Sequence, residues 1–338
     1  MTPTWRSFLE SAEGRFDNEV SELLDFGDAS GELKAAESRT VLVPLTHLAT
    51  IEAGGEDARS FLHSQFTSDV NHLTEGKMQH AGWCTAKGRM QASFVVQRTH
   101  DAYRLMLAAD LLEGAKKRLQ MFVLRAKVTL TACSDEVLLG LAGPQAAEVL
   151  ADAGLSMPDT PMTFARHGAV SVLRLEDQRY VISTPEAEAP ALWQKLSVKA
   201  RPAGVPVWRW LDVQAAFPLV SLATKEEFVP QMADFEKIGG VSFHKGCYPG
   251  QEIVARTQYL GKVKRHLFRL LSSAPLKAGD EIYSPDNLEQ ACGKVMTAAP
   301  APAGGYTALA VVQSNHADTL HLGARDGVAL AATAVNPA

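Results

Sequence analysis

The sequence has few cysteines, and no two of them are close together. Its four cysteines, Cys84, Cys133, Cys247 and Cys292, form no CxxC pair. This spacing excludes both the disulfide framework of a small secreted protein and a zinc site made from neighbouring residues. We therefore predict a reducing, cytoplasmic environment and no metal site.

The chain also lacks a long apolar segment. The longest stretch without charge, 295–317, is interrupted by prolines and glycines, so it cannot form a membrane helix. The first twenty residues lack the apolar core of a signal peptide and carry acidic residues early. We predict a protein without a cleaved leader and without a membrane partner.

Positive charge is not in excess. Lysine and arginine number 33 against 38 acidic residues, which gives a formal charge of −5. This balance argues against a general nucleic-acid coat protein. The sequence also has no GxGxxG or GxxxxGK phosphate-binding pattern and no GxSxG pattern of serine hydrolases. Nucleotide-binding, kinase and serine-hydrolase functions are therefore not favoured.

What the chain does have is the length and apolar content for more than one core. Its 338 residues, 46% of them hydrophobic, predict two or three domains. Changes in pattern divide it into a surface leader (1–39), a first α+β unit (40–135), a second α+β unit (136–262) and a C-terminal β-barrel (263–338). The predicted fold class is α+β, with two related mixed α/β units.

The two units are predicted to be related because each begins with a strand, a glycine and a helix. The matching residues are Gly55, Ala58 and Leu62 in the first unit and Gly143, Ala146 and Leu150 in the second. Between these segments, Lys87-Gly88-Arg89 has the residues of a hairpin tip.

The most unusual stretch is FHKGCYPGQEIVAR, residues 243–256. Gly246 and Pro249-Gly250 are turn residues, and a short helix is predicted from Gln251 to near Gly261. Cys247 then precedes a helix N-terminus beside Lys245, where an anion is favoured, so it is a candidate nucleophile or soft ligand. The alternative is a small buried hydrophobic residue in a turn. His244 and Cys247 form an HxxC pair, which is too few ligands for a metal site.

The segment KGCYPGQE, Lys245 to Glu252, resembles the signature KGC(F/Y)xGQE of the YgfZ family. Its members are folate-binding proteins linked to iron–sulfur protein maintenance and to tRNA modification, and they are similar in fold to the glycine-cleavage aminomethyltransferase. The resemblance implies two mixed units and a β-domain around a central cavity for tetrahydrofolate or a derivative. It implies catalytic roles for Cys247 and Lys245, and folate contacts for Gly246, Tyr248, Gly250, Gln251, Glu252 and Arg256.

The segment WRWLDVQAAFPLV, residues 208–220, resembles a second region of the same family, with Ala216 in place of the usual glycine. Trp208 stands where relatives carry a tryptophan assigned to folate, and a pterin ring can stack on an indole. The alternative is an ordinary core tryptophan. A second folate-contacting tryptophan of some relatives aligns with Thr46 here, which leaves that half of the folate site in question.

Glycine-cleavage activity is not expected. Ala92 and Ser93 stand where the aminomethyltransferase carries a catalytic pair of aspartates. Without a carboxylate, no evident group assists transfer of the aminomethyl carbon. Whether the protein is an enzyme at all is left open.

The leading hypothesis is a cytoplasmic, monomeric folate-binding accessory protein that presents Cys247 at the cavity rim and acts with iron–sulfur proteins. The alternatives are a folate-dependent methyl or aminomethyl transferase with a different acid, and an RNA- or protein-binding adaptor stabilised by folate. Direct tRNA binding is left open. A basic group after the loop fits a solvated edge, a folate tail or an RNA backbone; its members are Arg256, Lys262, Lys264, Arg265 and Arg269.

Overall fold

The computed structural model describes residues 1–17, 22–261, 263–287 and 290–335. The helices are α1 (Pro3–Ser11), α2 (Ala29–Ala36), α3 (Ala58–Gln65), α4 (Leu112–Val123), α5 (Ala146–Asp152), α6 (Ala189–Leu196), α7 (Val205–Gln214) and α8 (Gln251–Tyr259). The first strands are β1 (Arg15–Phe16), β2 (Leu23–Asp25), β3 (Val41–Pro44), β4 (Leu48–Gly54), β5 (Met78–Cys84), β6 (Met90–Arg98), β7 (Ala102–Ala108) and β8 (Thr129–Ala132).

The later strands are β9 (Glu136–Ala142), β10 (Thr163–His167), β11 (Val170–Glu176), β12 (Arg179–Pro185), β13 (Arg201–Pro202), β14 (Arg265–Ser272), β15 (Glu281–Tyr283), β16 (Gly293–Pro300), β17 (Tyr306–Gln313), β18 (Leu320–Leu322) and β19 (Ala329–Ala334). Short 3-10 helices lie between some of these elements, one of them at Pro230–Ala233.

The two mixed units repeat the same series of elements. The first is β4, α3, β5, β6, β7, α4 and β8, and its strands lie in the order β5-β6-β7-β4-β8. The second is β9, α5, β10, β11, β12, α6 and β13, in the order β10-β11-β12-β9-β3-β13. The two orders correspond strand for strand, except that β3 is inserted beside β9. The expected pair of related mixed units is therefore confirmed.

A glycine follows the first strand of each unit, as the sequence pattern indicated. Gly55 has a φ of +109° and Gly143 a φ of +127°, a region that side-chain-bearing residues rarely adopt. A Cβ on Gly55 would lie 2.1 Å from the Lys127 carbonyl oxygen, and one on Gly143 would lie 2.4 Å from that of Arg39. Each glycine thus lets a helix start close against a neighbouring segment.

The N-terminal residues differ from the predicted surface leader. Trp5 and Leu9 of α1 are buried in the core of the second unit, where Trp5 meets Trp193 edge to face with ring centroids 6.3 Å apart. In addition, β3, which lies in the stretch assigned to the first unit, pairs with β9 in the second sheet. Apolar residues in a polar, acidic stretch gave too weak a periodic signal to show this packing.

The C-terminal strands close into a barrel in the order β14-β17-β16-β15-β18-β19. Its interior contains Leu270, Ile282, Val295 and Val312. Helix α7 packs against β16 and β17 and so joins the barrel to the mixed units. The predicted β-barrel is confirmed. Among the described residues, no helix is long and apolar enough to cross a membrane.

Candidate functional site

The loop that carries Cys247 becomes a helix as the sequence predicted. Helix α8 begins at Gln251, and Gly250 caps it in the left-handed conformation with φ of 81°. The last helical residue is Tyr259. The main-chain N–H groups of Leu260 and Gly261 both donate hydrogen bonds to the Arg256 carbonyl. The turn and the helix are therefore confirmed.

The loop lies against the tip of the β5–β6 hairpin. A Cβ on Gly250 would lie 2.3 Å from the Thr85 carbonyl oxygen and 2.7 Å from the Gly88 Cα. A Cβ on Gly88 would in turn lie 3.0 Å from the Ile253 Cβ. The two glycines allow the hairpin and the loop to approach backbone to backbone, which explains both turn residues.

Lys245 binds the end of α3 with its side chain. The Nζ atom donates to the main-chain carbonyls of His63, Phe66 at 2.5 Å and Ser68 at 3.2 Å. These carbonyls belong to the last turn of α3 and the residues just after it, where main-chain acceptors lack helical partners and the helix dipole is negative. Burial lowers the pKa of Lys245 to about 8. Lys245 is therefore an anchor for the loop.

Thr67 adds a second connection between the same two segments. Its carbonyl accepts from the Ser242 main-chain N–H at 2.9 Å, and its Oγ1 donates to the Gly240 carbonyl at 2.5 Å. The Gly82 main-chain N–H donates back to Oγ1 at 2.8 Å. Hydrogen bonds thus hold residues 240–245 against residues 63–68. The sequence motif does not include residues 63–68.

Cys247 is the exposed thiol of this protein. Cys84 and Cys292 are buried and Cys133 is partly buried. Burial raises the pKa of Cys84 to about 12 and that of Cys133 to about 11. These two thiols therefore stay protonated near neutral pH, whereas Cys247 is open to solvent and to partners.

The other motif residues have different surroundings. Tyr248 is buried, with the Lys245 Nζ 5.0 Å from the centre of its ring, and burial raises the pKa of its phenol above the ordinary range. Gln251 is half-buried, while Glu252 and Arg256 are exposed on α8. The Gln231 side chain donates to the Val254 carbonyl at 2.7 Å and fixes the buried side of α8.

His63 and Asp69 also lie at the loop, and sequence reasoning missed them. The His63 Nε2 is 3.6 Å from the position of a Cβ on Gly246, and its Nδ1 is 3.2 Å from the Asp69 Oδ1. A lone histidine late in an amphipathic helix carries no sequence signal of its own. Only the folded loop shows what it faces.

Trp208 lies elsewhere, in the wall of a small cavity. The indole is buried, and the Arg179 guanidinium covers one face with its carbon 4.7 Å from the ring centre. The space open to the centre of a water-sized sphere is only about 20 Å³, room for about one water. The wall also contains His80, Ser93, Phe94, Asp212, Phe217 and Leu219.

The cavity does not reach the cysteine loop. None of the described motif residues from Lys245 to Arg256 lines it. Phe94 faces the cavity and stacks on Phe66 with ring centroids 4.9 Å apart, and the Phe66 carbonyl receives Lys245. Cys247 therefore does not stand at the rim of this cavity, which corrects the expectation from the sequence. The folate contacts expected for the motif residues stay predictions.

Buried polar groups stand at the cavity wall and behind it: Asp212 and His80 line the cavity, and Arg179 lies against Trp208. Arg179 forms an ion pair with Asp212, and both side chains are 5% exposed. Burial lowers the pKa of Arg179 to about 10, which leaves it charged near neutral pH. Its Nε has no hydrogen-bond partner among the described residues, and its Nη1 lies 3.5 Å from the Glu176 Oε1. Burial also lowers the pKa of His80 to about 4, so that ring is neutral.

A larger cleft adjoins the cavity and shares Leu219 with it. On the same measure the cleft has a volume of about 610 Å³, within the range of about 300–1,000 Å³ for small-molecule sites. It is bounded by the first unit, α7 and the barrel, and contains Thr46, His47, Asp110, Arg209 and Lys277. In the part of the chain that the structure describes, the Thr46 hydroxyl and both His47 ring nitrogens lack partners.

The residues at the aspartate positions are visible in the same region. Ala92 is fully buried, and the Ser93 hydroxyl accepts from the Val220 main-chain N–H at 2.9 Å. The carboxylate that lines the cavity is Asp212, which is paired with Arg179.

The described members of the basic group after the loop have different surroundings. Arg269 donates to the carbonyls of Val213 and Gln214 at the end of α7. Arg256 and Lys264 are exposed, and Lys262 lies outside the described residues. A search of the described ranges finds no cluster of three or more residues suited to hold a metal ion.

Comparison with solved structures and family models defines the class of fold. The model of the GCVT N-terminal domain matches residues 16–238. The glycine cleavage system aminomethyltransferase T from Bartonella henselae superposes with a TM-score of 0.84 at 20% identity, over 98% of this chain and 96% of that one. The protein therefore has the aminomethyltransferase fold.

Curated relatives define the family more narrowly. Three proteins named tRNA-modifying protein YgfZ are similar to this chain. That of Colwellia psychrerythraea is 34% identical over 72% of this chain and 76% of its own length. That of Sodalis glossinidius is 33% identical over 84% and 88%, and that of Shigella boydii 35% over 70% and 73%. The chain belongs to the YgfZ family, which confirms the resemblance of the motif.

Proposed function

We propose that this protein is a folate-binding accessory protein that supports tRNA modification and the maintenance of iron–sulfur proteins, with Cys247 as its functional thiol. The observation that carries the proposal is the placement of Cys247. It is the exposed cysteine of four, and Lys245 and Thr67 fasten its loop to the first unit. The relatives, which are named tRNA-modifying proteins, supply the link to tRNA.

The cleft and the cavity together suit a reduced folate. The cleft is large enough for a small molecule, and the cavity beyond Leu219 is lined by an indole, a buried carboxylate and the neutral His80 ring. A flat heterocycle with amide-like edges would satisfy such groups. Because the cavity itself is small, entry of a pterin requires the side chains around Leu219 to move. Arg209 of the cleft is paired with Glu22, so Lys277 is the cation that would meet an anionic tail.

An exposed thiol suits transient contact with a partner. A thiolate is a nucleophile and a soft ligand for iron or copper centres. The end of α8 carries two exposed apolar side chains. Tyr259 is 66% exposed and Leu260, which follows it, is 84% exposed. A partner protein can therefore reach Cys247 without rearrangement of the core.

Complementation of a deletion strain tests the role of the thiol. Cys247→Ser is expected to lose the ability to restore modified tRNA nucleosides, measured by mass spectrometry at matched protein levels. Cys133→Ser, which changes a partly buried cysteine, is the control and is expected to restore them. Full restoration by Cys247→Ser would reject the proposed thiol role.

Thermal unfolding tests the folate. Tetrahydrofolate at a hundred times its dissociation constant should add about 2.7 kcal/mol of stability. Leu219→Trp, placed between cleft and cavity, is expected to abolish the gain, and Leu260→Trp on the surface is expected to keep it. An unchanged melting temperature at millimolar tetrahydrofolate would exclude folate binding.

The same variants and ligand distinguish the proposed function from a transferase and from an adaptor. Turnover of a folate substrate would indicate a transferase that uses a different acid. Tight tRNA or protein binding that persists when Leu219→Trp removes folate would indicate an adaptor.

A further inference from the structure

The end of α4 exposes a group of large apolar side chains. Leu124, directly after the helix, is the most exposed large apolar residue of the described chain, with 87% of its surface accessible. Met121 and Phe122, in the last turn, are 69% and 44% exposed. The other face of α4 packs into a hydrophobic core through Leu119 and Val123. Three large apolar side chains within four residues therefore face solvent.

The backbone of Leu124 is strained. Its φ of 48° and ψ of −106° are close to those of the first central residue of a type II′ turn. The Ala126 main-chain N–H donates to the Val123 carbonyl at 2.8 Å, which closes this turn. Glycine is the usual residue at that position, because a Cβ is unfavourable there. Local conformation and core packing therefore do not account for a leucine here.

Positive charge surrounds these apolar side chains. Residues 116–127 contain five lysines and arginines and no acidic residue, in a chain whose formal charge is −5. Three of the five, Lys117, Arg118 and Arg125, are exposed and form no ion pair with any described residue, whereas the other two are each paired with a glutamate. Residues three and four apart are neighbours on a helix surface, which places Lys117 and Arg118 beside Met121.

We propose that the end of α4 is a docking surface for a second protein, whose contact face is apolar at the centre and acidic at the edge. We call this surface the α4 patch; its members are Met121, Phe122, Leu124, Lys117, Arg118 and Arg125. Methionine, phenylalanine and arginine are enriched in protein interfaces, and opposite charges at the edge steer association. The α4 patch lines neither the cleft nor the cavity, so the inference goes beyond the proposed function.

Two other anionic partners match the α4 patch less well. Helical RNA presents phosphates and hydroxyls, which lose hydration against leucine and methionine without gaining hydrogen bonds. An anionic membrane would receive three partly covered side chains at one end of a helix. They offer no more apolar surface than a single myristoyl chain, which by itself gives only marginal membrane binding. A protein surface can match both the apolar centre and the basic edge.

Photocrosslinking tests which class of molecule binds the α4 patch. p-Benzoylphenylalanine replaces Phe122 in the full chain, expressed at its natural level in the deletion strain. In the matched control it replaces Val198, an apolar residue of the second unit that is 80% exposed. Irradiation is expected to give a discrete adduct with another protein from position 122 alone. Adducts with only RNA, lipid or a second copy of this chain, or no adduct specific to position 122, would overturn the proposal.

Binding of the purified partner to variants then tests the contact itself. Leu124→Gly removes the exposed side chain and relieves the strained φ, so it should melt no lower than wild type and yet bind at least about tenfold more weakly. Met121→Ser, which leaves the turn unchanged, should also weaken binding. Arg118→Glu should slow association and reduce its dependence on salt, and Val198→Ser should bind as wild type does.

Wild-type affinity of both Leu124→Gly and Met121→Ser would overturn the proposal, whatever adduct is found. Neither folate nor Cys247 enters these measurements. Their failure would therefore leave the proposed function intact, and failure of the folate and complementation tests would leave the α4 patch intact.

Discussion

The ammonium of Lys245 donates to the carbonyl of Phe66 over 2.5 Å and so ties the cysteine loop to the residue that ends α3. The contact satisfies a main-chain acceptor that the helix leaves open and places a positive charge at its negative end. The lysine of the motif thus has its hydrogen-bond partner, Phe66, far away in the sequence.

The first prediction concerns the dependence of stability on pH. Burial lowers the pKa of Lys245 from 10.5 to about 8, so between these values the unfolded chain binds the proton and the folded protein does not. The contribution of Lys245 to the free energy of unfolding should therefore rise with pH from about 8 to about 10.5. Urea unfolding at a series of pH values measures it.

Lys245→Arg is the matched control for that measurement. Arginine stays protonated across the whole window, so the difference between wild type and variant should slope upward with pH. A flat difference would show that the ammonium keeps its ordinary pKa.

The second prediction concerns the glycine before α8. Gly250→Ala should cost about 1 kcal/mol for its positive φ and about 1–3 kcal/mol more for the overlap with Thr85 and Gly88. Gly239→Ala should have only the cost of the positive φ, because the φ of Gly239 is +75° and no atom lies within 4 Å of the new Cβ. Thermal and urea unfolding should rank Gly250→Ala well below Gly239→Ala, and equal losses would contradict the close packing.

The third prediction is an order of thiol reactivity. At pH 7.5 a maleimide should label Cys247 first and Cys133 more slowly, while Cys84 and Cys292 should react only on unfolding, because burial shields them and raises the pKa of each. Mass spectrometry of a labelling time course gives the order. Cys247→Ser should remove the fast phase, and early labelling of Cys84 would disprove the placement of β5.

The fourth prediction concerns the buried ion pair beside Trp208. Asp212→Ala should cost about 3–5 kcal/mol, because it leaves the buried Arg179 guanidinium with only its longer, 3.5 Å contact to Glu176. Replacement of both residues by leucine should cost less than Asp212→Ala alone. Glu148→Ala breaks an exposed pair with Lys199 and should change the stability little. If Asp212→Ala cost no more than Glu148→Ala in urea unfolding, the pair would not be buried.

Short-range features could be predicted from the sequence because each depends on neighbouring residues. Gly246 and Pro249-Gly250 indicated a turn, Gln251 onward indicated a helix, and the structure has both. The repeat of strand, glycine and helix was visible for the same reason, since Gly55 and Gly143 must each adopt positive φ. The exposure of Cys247 and the cavity around Trp208 were not visible, because burial depends on elements distant in the chain.

The sequence by itself determined the turn and the helix of the motif, the two mixed units and the barrel, because their patterns follow from backbone conformation and apolar periodicity. Only the tertiary structure decided that Lys245 reaches His63, Phe66 and Ser68, that Gly250 packs against the tip of the β5–β6 hairpin, and that Trp208 lines a cavity that the described motif residues do not reach. Carbonyl acceptors are present on every residue and leave no trace in the sequence. The carbonyls that Lys245 contacts are selected by the tertiary packing, which places the end of α3 beside the loop.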